Sequence, residues 1–213
     1  CETDRNMDAM KDYSQNGEQA HILHYLRVMG IEKGHLVDLG AGDGYTMSNT
    51  RALLDLGWTG DLYDGEPKGA KDVTKAWITI DLPKVPKCDF LNLDIDGNDY
   101  HVLDRILIEA TTKPALIVCE INPIFQRDEW AVMPYNEAHV WNNDTYYGMS
   151  LAACDALGKE HGYTLAYLHA GINAFLVRND MIDKNLDLLR PIEYRVKRDH
   201  KPHDPRKQWL TSI

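Results

Sequence analysis

Seven short apolar runs of strand type recur along the chain: HLVDLG (35–40), GDLYDGE (60–66), AWITID (76–81), DFLNLDID (89–96), ALIVCEI (115–121), YTLAYLH (163–169) and NAFLVRN (173–179). Helix-compatible spacing is interspersed at 19–29, 46–56, 100–109 and 149–161. Strands alternating with helices predict a parallel sheet covered on both faces. Only AGI separates the last two runs. That is too short for a crossover helix, so these two predict an antiparallel hairpin. The expected fold is α/β and Rossmann-like, a mostly parallel sheet with a terminal antiparallel β-hairpin. One connection is long and aromatic, NPIFQRDEWAVMPYNEAHVWNNDTYY (122–147), and carries Trp130, Tyr135, Trp141, Tyr146 and Tyr147. Connections of this length are usually functional or disordered. The aromatic content predicts a substrate lid or a contact in a homo-oligomer.

Composition narrows the class. The 213 residues allow one sizeable domain with one core. A formal charge of -10 argues against nucleic acid backbones and anionic membranes as partners. The charge is uneven, because residues 181–213 hold eight Lys/Arg against five Asp/Glu. The expected division is a domain over 1–180 and a basic tail over 181–213, read as a solvated terminus or a docking strip. The four cysteines (Cys1, Cys88, Cys119 and Cys154) form no CxxC pair. Free thiols, no run of membrane-spanning length and no signal-peptide pattern lead to a cytoplasmic expectation.

The stretch VDLGAGDGYTMSNT (37–50) puts a Gly-x-Gly-x-Gly turn at the carboxyl end of the first expected strand, where open α/β sheets bind ligands. A dinucleotide fingerprint needs a third glycine three residues after the second, and Tyr45 stands there. The Gly-Lys-Ser/Thr of a Walker A loop is absent too. Asp38 and Asp43 would repel a phosphate. They suit S-adenosylmethionine, which carries no phosphate and has a cationic sulfonium. Backbone at Gly40, Ala41 and Gly42 would approach its methionyl part and ribose, and the carboxylates would accept from its ammonium and hydroxyls. Asp64, twenty-six residues after Asp38, is placed for the ribose, with Gly65 and Glu66 beside it. Asp81 ends AWITID and is placed to face the adenine amine.

The second dense constellation is DFLNLDIDGNDY (89–100). In a strand, Asn92, Asp94 and Asp96 share one face, which a central parallel strand would normally keep apolar. Gly97 ends the run, and Asn98 or Asp96 could cap the helix beginning near Asp99. Glu120 and Asn122, from VCEINP, would emerge beside Asp94 and Asp96. Two chemistries follow. In one, Asp94, Asp96, Glu120 and Asn122 hold Mg²⁺ or another divalent cation that acidifies a substrate hydroxyl. In the other, Asp96 is a general base and Glu120 orients the substrate. His139 and His169 are further candidate bases, and His101 follows the cluster.

Together, YSQNGEQAHI, VDLGAGDGYTMSNT, GWTGDLYDGEP, DFLNLDIDGNDYHVL, VCEINP, NDTYYGMSL and GINAFLVRND resemble the FkbM-type methyltransferases, over about residues 13–180. The resemblance implies a class I methyltransferase fold, S-adenosylmethionine as donor and O-methylation, often of sugars or polyketide-linked hydroxyls. By position it implies Gln15 and Glu18 near the methionyl end, with Asp43, Ser48 and Asn49 added, and Asp64 at the ribose. Asp96 and Asp99 form the acidic strand end, and Asp144 and Tyr146 close over the cleft. Two positions depart from the family pattern: Gln19 replaces an acid, and Asp99 stands where many members carry Glu. The functional expectation is O-methylation of a small polar or glycan substrate. The rivals are a nicotinamide-dependent oxidoreductase, disfavoured by Tyr45 and the hairpin, and a non-catalytic scaffold, disfavoured by the acidic cluster.

Overall fold

The computed structural model describes residues 11–81, 84–182 and 200–212. Its elements in chain order are helix α1 (Glu18–Val28), strand β1 (His35–Leu39), helix α2 (Arg51–Asp55), strands β2 (Thr59–Asp64), β3 (Val73–Lys75) and β4 (Phe90–Leu93), helix α3 (Asp99–Glu109), strand β5 (Leu116–Glu120), helix α4 (Leu151–Glu160), and strands β6 (Tyr163–His169) and β7 (Asn173–Arg178). One seven-stranded sheet runs in the order β3-β2-β1-β4-β5-β7-β6. Strands β1 to β5 pair in parallel, and β7 pairs antiparallel with both β5 and β6. This is the Rossmann-like class I methyltransferase arrangement, with its terminal antiparallel hairpin. Among the described residues, no helix is long and apolar enough to cross a membrane.

The two-residue period of the strands sorts their side chains onto two cores. Leu36, Phe90, Leu116, Val118 and Phe175 pack with Ile22, Tyr25 and Leu26 of α1. Val37, Leu91, Leu93, Ile117 and Leu176 pack on the other face with Leu103 and Leu107 of α3 and Leu157 of α4. Both faces of the central strands are therefore dry, and polar side chains gather at their carboxyl ends. Cys88, Cys119 and Cys154 are buried free thiols; Cys1 lies outside the described residues.

Three elements differ from the sequence reading. The third strand is Val73–Lys75, not 76–81. Its last sheet bond is the Ala76 N–H to the Asp64 carbonyl, after which Trp77 turns out over Gly65 and its indole donates to the Glu137 carbonyl at 2.8 Å. The helix expected at 46–56 is only Arg51–Asp55. Asp43 holds the Tyr45 and Thr46 N–H groups in a turn, and Met47 sits at φ 56, so helical geometry cannot begin earlier. Strand β4 stops at Leu93; the Asp94 N–H still donates to the Leu39 carbonyl of β1, and the chain then turns away, with Asp96 in the left-handed region at φ 53.

Candidate active site

A cavity of about 550 Å³ opens at the carboxyl ends of β1, β2 and β4. Its described lining includes the carboxylates of Glu18, Asp38, Asp64, Glu66, Asp94 and Asp96 against a single lysine, Lys68. Gly40 makes the floor possible. It adopts φ +93, and a Cβ there would lie 1.6 Å from the Asp94 carbonyl oxygen, so no other residue lets β1 and β4 come this close. The turn is tied to the next strand by the Gly42 N–H donating to Asp64 Oδ2 at 2.8 Å. Asp64 Oδ1 accepts the Glu66 N–H at 2.6 Å. Each Asp64 oxygen keeps a further lone pair for a ligand.

Beneath the turn, Asp38 is buried and fully engaged. It accepts from Thr50 Oγ1 at 2.6 Å and from Asn92 Nδ2 at 2.8 Å, and Asn49 Nδ2 donates to Asn92 Oδ1 at 3.0 Å. Burial lifts its carboxyl above the ordinary range despite these bonds. At the other rim, Glu18 accepts from Asn16 and from Asn173 Nδ2. Burial would raise its carboxyl, but these donors outweigh burial and hold it below the ordinary range.

Asp94, Asp96 and Glu120 present oxygens all within 4.8 Å of one another. Burial is the first reason that all three carboxyls are raised, and the charges of the other acids add to it; Asp96 reaches about 6. Carboxylates this close cannot all stay ionised without a proton or a cation among them. Glu120 Oε2 is buried with no hydrogen-bond partner.

Asp99 opens α3 directly after the acidic strand end. Its carboxylate is fully buried and accepts the Ile95 N–H at 2.9 Å and the Gly97 N–H at 2.8 Å, so it pins the turn that presents Asp96. Burial raises its carboxyl, and these two N–H groups oppose the rise. Neither Asn98 nor Asp96 caps α3 through a side chain. Asn98 instead exchanges bonds with Asn136, its Nδ2 donating to the Asn136 carbonyl and its Oδ1 accepting the Asn136 N–H. Asp99→Ala would strand two buried donors, at about 1–3 kcal/mol each. Urea denaturation is expected to show a loss of about 2–6 kcal/mol, with Asp99→Asn losing less.

The long connection supplies the remaining wall through His139, Val140 and Trp141. The His139 ring stands so close to Gly97 that a Cβ there would lie 2.5 Å from its Cδ2. Burial lowers the His139 pKa, and its Nε2 is buried without a partner. The other two histidines named from the sequence are each tied to a backbone carbonyl. His101 Nε2 donates to the Met133 carbonyl and His169 Nε2 to the Asn16 carbonyl, each at 2.8 Å.

Of the residues expected from sequence, Gln15, Glu18, Asp38, Gly40, Ala41, Gly42, Ser48, Asn49, Asp64, Gly65, Asp94 and Asp96 line the cavity. Glu120 reaches it through the acidic trio. Asp43 faces solvent and caps the turn; the Thr46 N–H and hydroxyl hold its carboxyl at about 2. Asp81 lies in a separate depression with Lys84 and Arg105, because the segment carrying it is not a strand. Asn122 lies outside the acidic trio and is held by the long connection: its Nδ2 donates to the Thr145 and Tyr147 carbonyls and its Oδ1 accepts the Ile124 N–H. Asp144 and Tyr146 bond to the C-terminal segment and do not line the cavity. Trp77, Lys68 and Met47 were not anticipated. Trp77 had a signal, a bulky aromatic near the start of a weak apolar run.

No family model matches the sequence, and no curated protein does. The structure overlaps solved methyltransferases loosely. For the 1,6-didemethyltoxoflavin-N1-methyltransferase of Burkholderia thailandensis, the overlap covers 78% of this chain and 80% of that one at 13% identity, TM-score 0.47. Human N-acetylserotonin methyltransferase gives 76% and 51% at 15% identity, also 0.47, so the match spans about half of that enzyme. Magnesium protoporphyrin IX methyltransferase of Synechocystis PCC 6803 gives 75% and 77% at 13% identity, again 0.47. Likeness at this level says nothing of substrate or mechanism.

Proposed function

We propose that this protein transfers a methyl group from S-adenosylmethionine to a hydroxyl of a small polar acceptor, of the sugar or glycoconjugate class. The observation that carries the proposal is the cavity lining: a glycine turn open to close approach, with carboxylates and almost no cations around it. Such a wall disfavours phosphates and nucleic acid backbones and suits a ligand with cationic sulfur and ammonium groups. When bound, S-adenosylmethionine supplies an electrophilic methyl group.

The chain's own groups do the rest. Gly40 to Gly42 admit the ligand's backbone-side atoms. Asp64 accepts from vicinal hydroxyls while staying fixed by Gly42 and Glu66. Trp77, packed on Gly65, offers an aromatic face beside it. At the far end, Asp94, Asp96 and Glu120 accept from an acceptor hydroxyl and take its proton, and His139 and Trp141 exclude water. The trio also fits a divalent cation, whose preference is for hard oxygen ligands; such an ion would supply acidification of the hydroxyl. Holding acceptor and donor in line supplies much of the rate.

A thermal-shift series tests this reading. Ligand at 100 times Kd adds about 2.7 kcal/mol, which for a chain of this size is about 5–10 °C. S-adenosylhomocysteine is expected to give that shift and NAD⁺ none. Mg²⁺ is expected to add a smaller shift that EDTA reverses. A shift with NAD⁺ alone would instead favour the oxidoreductase.

A further inference from the structure

We propose that residues 200–212 form a strap whose Lys207 and Trp209 are positioning residues for the acceptor wall, and we rest this on the reading of the cavity just given. The wall at 139–141 belongs to a connection with no helix or strand of its own between β5 and α4. Such a stretch keeps one shape only when its polar groups are paired. On its inner side the pairs are Asn98 with Asn136 and Trp77 with Glu137.

On its outer side the partners come from the C-terminal segment. Val132 and Leu210 exchange backbone bonds at 3.0 and 2.9 Å, and the Thr145 N–H donates to the Lys201 carbonyl at 3.1 Å. Lys207 Nζ reaches Asp144 Oδ2 at 3.1 Å, where the Asp144 side chain is only 9% exposed. Burial would raise the Asp144 carboxyl, but the Tyr146 N–H and Lys207 hold it below the ordinary range.

An aromatic chain connects the strap to the site. The Trp209 ring lies 4.9 Å from that of Tyr146, Tyr146 lies 6.2 Å from His139, and His139 stands against Gly97 beside Asp96. The Tyr146 hydroxyl also donates to the Gln208 carbonyl at 2.9 Å. Asp144 and Tyr146 therefore act on the site by being held, at a distance from the reacting atoms. Among the described residues, no hydrogen bond or ring contact joins the strap to the glycine turn or Asp64, and its route to the cofactor end is the indirect one through the Glu137 carbonyl that holds Trp77.

The test uses the full chain and three variants, Trp209→Ala, Lys207→Met and Lys207→Arg. Hydrogen exchange at 137–147 is expected to quicken at least tenfold in the first two, with the sheet amides unchanged, and to return toward native rates with arginine. The His139 ring resonance is expected to shift in Trp209→Ala, although residue 209 does not touch it. The S-adenosylhomocysteine Kd is expected to rise by less than the exchange rates at 137–147, because Asp64 and the glycine turn keep their own hydrogen bonds; a larger rise would overturn the strap as a device of the acceptor wall. Unchanged exchange at 137–147 in both variants, an unmoved His139 signal, or loss of protection spread through the sheet would each overturn the strap. Failure of the native chain to bind S-adenosylhomocysteine would overturn the functional reading instead, and with it the strap's link to an acceptor.

Discussion

Gly40→Ala is expected to lose most of the protein's stability and all cofactor binding. The added methyl would fall 1.6 Å from a backbone oxygen of the neighbouring strand, which no rotamer change can relieve. Separating β1 from β4 to make room breaks the sheet at its centre, where Leu36, Leu39, Phe90 and Leu93 are fully buried. Left-handed strain for alanine adds about 1–2 kcal/mol, and overpacking typically about 1–3 kcal/mol, sometimes more. Against a typical reserve of about 5–15 kcal/mol, a loss of about 4 kcal/mol or more is severe. Gly42→Ala is the control. It shares a positive φ, +57, but its Cβ would meet nothing within 4 Å, so only the strain of about 1–2 kcal/mol is expected. Urea denaturation of both variants separates overlap from strain.

The second large effect falls on binding. Asp64→Asn keeps an acceptor for the Gly42 N–H but removes the charge facing the ligand hydroxyls. A charge-assisted bond is worth about 1.5–3 kcal/mol, so S-adenosylhomocysteine should bind about tenfold to a hundredfold more weakly while the fold survives. Asp81→Asn should leave affinity unchanged, because Asp81 lies outside the cavity. Equal affinity in native protein and Asp64→Asn would remove Asp64 from the site.

The sequence carried the sheet well, because period-two alternation and connection length are local properties. The AGI spacer fixes β6 against β7, and the spacing from Asp38 to Asp64 follows from parallel pairing of β1 with β2. What escaped depends on partners distant in sequence. Asn122 resembled a ligand at a strand end until the carbonyls of 145 and 147 claimed its amide. Asp99 was placed at the acidic strand end by resemblance, and its service to the Ile95 and Gly97 N–H groups depends on a turn that no local pattern shows. Trp77 was assigned to a strand by its apolar neighbours, whereas the Glu137 carbonyl draws its indole outward. The basic tail read as a solvated terminus or a docking strip, and residues 183–199 lie outside the described part; 200–212 pack on the aromatic connection through pairings with no sequence periodicity. Asp43, Asp144 and Tyr146 were placed in the cleft by motif, and each is held elsewhere by its own hydrogen bonds.

The most direct measurement is isothermal titration of S-adenosylhomocysteine into the native chain. The carboxylate-walled cavity over the glycine turn predicts one site per chain with a Kd of about 1–100 μM, or about 5.5–8 kcal/mol of binding free energy. No heat of binding up to millimolar ligand, in protein shown to be folded, would contradict the account at its centre.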